Sequence, residues 1–177
     1  MTRITCMFVG LLTLVAGGSP PDVDAVAFAR AFRAGAADQF RNQQVSGRGV
    51  NFHGVVSERI ADGTTRASLV ITLGAVRDAA PVLIKTWDEF VAAERARTTL
   101  VVALSGSNLP APSGTTPQTY EFAGVYDGQV RTIMRVPQAS DSPAPDSGPC
   151  KGEQPRADGG RFYCAPLLVS ATAKPVD

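Results

Sequence analysis

Apolar and polar positions alternate most clearly between Arg66 and Leu104. Ala67, Leu69, Ile71 and Leu73 share one parity against Arg66, Ser68, Val70 and Thr72, the period of a half-buried strand. Gly74 to Ala80 interrupts the pattern. Pro81 then opens a second run, in which Val82 and Ile84 alternate with Leu83 and Lys85, and a proline is tolerable at a strand's first residue. Thr86-Trp87-Asp88-Glu89 reads as a capping box and predicts a helix from Trp87 to Ala96, with Phe90, Ala93 and Arg97 sharing one side. Acidic residues in its first turn and Arg95 and Arg97 near its end also suit the helix dipole. Thr98 to Leu104 returns to strand, with Leu100, Val102 and Leu104 on one face.

Upstream, Asp22 is a natural cap for a helix reaching to about Arg41, on which Phe28, Phe32, Ala36 and Phe40 form an apolar stripe that docks on the parent domain. Gln43 to Gly49 reads as a polar connection and Val50 to Ile60 as a long strand, bulged or sharply coiled at Gly54. Ala61-Asp62-Gly63 is a hairpin turn. Downstream, Ser105 to Pro117 is a proline- and glycine-bearing loop. Tyr120, Phe122 and Tyr126 share a parity, and Asp127-Gly128 predicts a tight hairpin into a further strand from Val130 to Val136.

The chain ends are polar or biased, and they set the domain boundaries. Arg3, the apolar run Ile4 to Val15 and Ala16-Gly17-Gly18 have the layout of a signal peptide over residues 1–18. No cysteine follows the apolar run, which argues against a lipoprotein and for a periplasmic or secreted product. Residues 19–44 then carry the N-terminal helix, 45–136 the main domain and 137–149 a linker rich in proline, serine and aspartate. Residues 150–177 carry a C-terminal hairpin, with the apolar run Leu167-Leu168-Val169 and a polar tail. With Cys6 removed, Cys150 and Cys164 are the two cysteines left, which in an oxidising compartment reads as a disulfide. Lying beyond the linker, that bond is expected to pin only its own hairpin.

Charge narrows the partners. The 17 basic and 16 acidic residues nearly cancel, so no long-range field steers the chain onto nucleic acid or an anionic membrane. His53, the single histidine, lies on a strand pattern with no nucleophile motif near it. The paired carboxylates Asp88-Glu89 are explained by capping. Phosphate-binding glycine motifs, zinc-protease helices and calcium loops are all absent from the sequence. No catalytic residue, metal site or cofactor is therefore expected.

Strand, strand, strand, helix, strand, strand over about residues 45–136 resembles the order of small exported OB-fold domains related to the anticodon-binding group, by topology and with no signature motif. The resemblance implies an α+β, β-rich protein: a five- to six-stranded barrel with the N-terminal helix packed on it and the disulfide hairpin following. Its second and third strands would face a ligand. On that face the sequence offers Arg66, Lys85 and Trp87, too few basic and stacking residues for nucleic acid. Trp87, between an apolar run and the helix, is expected to be largely buried at the core edge; left exposed it would be a stacking residue. The alternative architecture is a cystatin-type open sheet with the phenylalanine helix laid across it. The function expected is a non-enzymatic binding module of the cell envelope or secreted fraction, taking a small ligand or an envelope protein. The alternative is a structural or inhibitory protein that docks on another protein.

Overall fold

The computed structural model describes residues 22–52, 54–59, 63, 65–77, 80–111, 117–135, 154–155 and 161–176. The signal segment, His53, the Ala61-Asp62 turn, the linker 137–149 and Cys150 lie outside the described residues.

Five strands form a closed circuit: β1 (Gln44–Asn51), β2 (Thr65–Arg77), β3 (Thr99–Leu104), β4 (Gln118–Arg135) and β5 (Arg161–Val176). β1 pairs antiparallel with β4 over its whole length, from Gln44↔Val125 to Asn51↔Gln118. β4 pairs antiparallel with β5, β5 parallel with β3 at Ala103↔Leu167, and β3 antiparallel with β2. The pair Val50↔Thr72 joins β2 back to β1 and closes the barrel. An open, cystatin-type sheet is thereby overturned. Short strands extend the circuit: Val23–Asp24 beside β1, Val55–Arg59 and Ala80–Val82 beside β2, and Gln154–Pro155 beside β5.

Several boundaries differ from the sequence expectation. The stretch read as a polar connection is β1, because its glycines serve close approach. A Cβ on Gly47 would lie 2.6 Å from that of Ala25, and one on Gly49 2.5 Å from the carbonyl of Thr72. The long strand expected from Val50 instead breaks at Gly54, where the Asn51 side chain accepts from the Gly54 amide (3.1 Å) and donates to its carbonyl (3.0 Å). Asp127-Gly128 makes no hairpin. β4 runs straight through it with an irregularity between Tyr126 and Val130, because β5 supplies partners on both sides of the break. Of the expected third strand only Pro81 and Val82 pair, within Ala80–Val82, so the helix falls between β2 and β3 of the circuit.

The C-terminus is the largest correction. Within the expected satellite hairpin of 150–177, residues 161–176 belong to the barrel instead, since β5 lies between β4 and β3 and buries Ala165, Leu167, Leu168 and Ala171. A barrel needs all its strands, and the weak alternation of β5 hides that role. The bond expected at Cys164 would therefore be attached to a barrel strand, with Cys164 opposite Thr132 of β4.

α1 (Ala25–Arg33) is capped by Asp24, not Asp22: the Asp24 carboxylate accepts from the Ala27 amide at 2.9 Å. It ends well before Arg41. Gly35, at φ 73°, closes it with bonds from its own amide to Phe32 and from Ala36 to Ala31, and a 3₁₀ turn (Ala37–Phe40) follows. α2 (Trp87–Arg95) has the capping box the sequence predicts: Thr86 Oγ1 accepts from the Glu89 amide at 3.2 Å, and Glu89 accepts from the Thr86 amide at 3.1 Å. Arg97 lies past its end at φ 56°, so buried Glu94 completes the inward side instead.

One core cluster takes residues from all five strands (Val45, Ile71, Val102, Tyr120 and Leu168 among them), which only the inside of the circuit can bring together. Phe28 and Phe32 of α1 pack into it, as the stripe expects. The opposite parity is buried too. Val70, Val101, Ala103, Ile133, Ala165 and Leu167 form a second cluster, and Val50, Phe52 and Ala75 pack with Ile84, Phe90 and Ala93 around α2. β2 and β3 are thus buried on both faces rather than half-buried.

Candidate functional site

The sequence names Arg66, Lys85 and Trp87, and the fold brings two of them together. Lys85 and Trp87 flank the cap residue of α2, and both are exposed. Arg66 pairs with Glu58 on β2, nine residues before Ala75, which lies opposite Val82. Along an extended strand that separation is roughly 30 Å. By register, the backbone of Arg66 is therefore well separated from the start of α2.

Trp87 is the first residue of α2, and its indole is 51% exposed, which overturns the expectation of a largely buried side chain. The cause is helical spacing. Phe90, three residues on, takes the inward position at 1% exposure and leaves Trp87 above it. Phe52 (9% exposed), from the segment just after β1, stacks on Phe90 with centroids 4.6 Å apart and planes at 5°. The indole leans on both rings, 5.4 Å from Phe90 and 6.1 Å from Phe52, tilted by 45° and 50°. Two ordered phenylalanines thus hold a tryptophan in place without covering it. Nothing in the local sequence of Phe52 marks it as part of this support; the contact is long-range.

The segment leading into α2 exposes apolar and charged side chains together. Ile84 turns inward, whereas Leu83 is 53% and Val82 41% exposed. Lys85, two residues before Trp87, and Asp88, one residue after it, are exposed as well. Glu89 is committed elsewhere, accepting from the amides of Lys85 (2.9 Å) and Thr86 (3.1 Å). Such a face can stack a flat or apolar group and add one ionic or hydrogen-bonded contact. Among the described residues it holds no nucleophile–base pair. Among the described residues, no three His, Cys, Asp or Glu side chains converge on a metal-sized site.

Buried polar groups lie behind the face. Glu94 of α2 is fully buried and accepts from the Thr99 hydroxyl, fastening the helix to the start of β3. Arg33 of α1 donates to the carbonyls of Thr99 (3.1 Å) and Arg97 (2.9 Å), so the end of α2 is held from both sides. Arg131 is buried on β4 opposite Ala165. Among the described residues no helix is long and apolar enough to cross a membrane.

Compared with known proteins, the chain matches no family model and no curated protein.

Proposed function

We propose that the chain is an exported, non-enzymatic binding module of the cell envelope or secreted fraction, and that the Trp87 face receives its ligand. The observation that carries this reading is the half-exposed indole held on the Phe52–Phe90 stack. Leaving a large apolar side chain in water forgoes roughly 1.5–3 kcal/mol of burial, a cost that a bound partner would recover. Export rests on the layout of residues 1–18, and a bond between Cys150 and Cys164 would follow from the oxidising compartment. The strand circuit β1-β2-β3-β5-β4-β1 supports the OB-like reading of the barrel, with α2 between β2 and β3 as its departure.

Trp87 is the single tryptophan, so its emission reports on this face without labelling. Envelope extract from the exporting cell, split by size, is titrated against the mature protein. A saturable emission change with the small-molecule fraction supports the module. The same change with the protein fraction alone favours the docking alternative, for which exposed Val82 and Leu83 argue. Unchanged emission with both fractions rules the face out. Intact mass beginning near Ser19 supports export, and retention of residues 1–18 in the mature product overturns it.

A further inference from the structure

A cleft of about 490 Å³ opens where β3 ends, between Ser105–Asn108 and Val169–Thr172 of β5. Its volume falls in the range of small-molecule sites. We propose that it is a second binding site, for a neutral polyhydroxylated ligand of the carbohydrate class. It is independent of the Trp87 face, which lies at the start of α2.

The walls are fixed by the backbone. The Ser105 amide donates to the Leu168 carbonyl at 2.9 Å, and the Ala171 amide donates to the Ser105 carbonyl at 3.0 Å. Between those two bonds β5 departs from its ladder, as the register steps from Val125↔Val169 to Ala123↔Thr172. Ser170 sits in that step at φ 51°, a left-handed conformation that a residue other than glycine holds only under local constraint. Opposite it, Gly106 lies against the Ala171 carbonyl so closely that a Cβ would collide with it. The two walls therefore approach to backbone contact at Gly106 and Ala171.

The lining chemistry selects the ligand. None of the eight described lining residues is ionisable, so among them a charged ligand would find no counter-charge. Ser105, Ser107, Asn108, Ser170 and Thr172 instead present hydroxyl and amide groups, each able to donate and to accept. A peptide added as a strand would need an unpaired backbone edge. Here one wall is β5, a strand inside the closed circuit, and the other is the turn after β3, where both backbone groups of Ser105 are already bonded. What remains is a set of side chains matched to a ligand whose own groups both donate and accept, as sugar hydroxyls do.

The test is amide NMR of the ¹⁵N-labelled mature protein titrated with maltotriose, mannotriose and chitotriose. A saturable shift at Ser105–Asn108 and Val169–Thr172 with at least one of them is expected. Asn108→Ala and Ser170→Gly should each weaken it roughly two- to tenfold, the range for one lost neutral hydrogen bond. Both variants should fold: Asn108 is exposed, and glycine suits the backbone at position 170 without strain. Three results would overturn the site: no saturable shift with any of the three sugars, shifts unchanged by both variants, or saturation by an uncharged Gly-Ser tetrapeptide in place of the sugars. Shifts confined to the surroundings of Trp87 also overturn it while leaving the proposed function standing. Cleft shifts with constant Trp87 emission support the cleft alone.

Discussion

Phe28 of α1 lies 4.9 Å from Tyr126 and 6.0 Å from Phe40, inside a cluster to which every barrel strand contributes. Across the sheet, Phe52 stacks on Phe90 at 4.6 Å, and Trp87 is the third ring. Both groups are three aromatic side chains at ordinary contact distances. They differ in what lies over them. The first is enclosed by a closed circuit and a helix, so Phe28 and Tyr126 are buried and Phe40, at its edge, is partly so. The second has one short helix beside it, and its outermost ring stays half in water. Enclosure by the circuit makes aromatic packing structural, and its absence at Trp87 leaves a surface that can recognise something.

The largest effect should come from opening that enclosure. Ending the chain before Arg161 removes β5 from between β4 and β3, and the remainder is expected to show no cooperative unfolding by circular dichroism. A truncated chain that still melts sharply would mean that the first cluster does not depend on closure. Phe28→Ala should cost about 3–5 kcal/mol in denaturant unfolding, as for a buried phenylalanine. A loss below about 1 kcal/mol would put Phe28 on a par with a surface site.

A bond between Cys150 and Cys164 would be anchored on β5, so reductant is expected to lower the main thermal transition. Closing a loop of that size stabilises by about 3 kcal/mol in the chain-entropy model. An unchanged transition, or free thiols at both Cys150 and Cys164 in the denatured protein, would remove the bond from the account.

Alkali gives a finer test of the enclosed cluster. Burial holds the Tyr120 and Tyr126 phenols above their ordinary value of 10.0. With the folded-state pKa raised, that stability is complete below the unfolded value. It is lost as pH rises from about 10 through the folded-state values, because the unfolded chain ionises first. Replacing both tyrosines with phenylalanine should flatten the alkaline limb of the stability curve, and an equally steep limb would sink this assignment.

The smallest expected change in stability is at the other cluster. Trp87→Ala should cost under about 1 kcal/mol, since half the indole is already in water. The same variant should abolish binding at that face. A cost of about 3 kcal/mol, typical of a core site, would show that the two clusters are equivalent after all.

Local chemistry was enough for the elements that stabilise themselves. The capping box at Thr86 and Glu89 fixes the start of α2 wherever the helix lies, because its hydrogen bonds join residues three apart. Strict alternation from Leu69 to Leu73 and from Leu100 to Leu104 marks β2 and β3, and the phenylalanine spacing marks α1 as a docking helix. The balance of charge is likewise a property of composition. Tertiary structure decided the rest, where one segment's role depends on a distant one. Gly47 and Gly49 look like strand breakers until Ala25 and Thr72 press against them. Asp127-Gly128 looks like a hairpin until β5 pairs on both sides of it. The residues of β5 are barrel residues only because β3 and β4 leave a strand-wide gap between them. Trp87 was legible as a candidate, and helical spacing puts Phe90 beneath it, yet the support from Phe52 is a long-range contact that spacing along the chain does not encode.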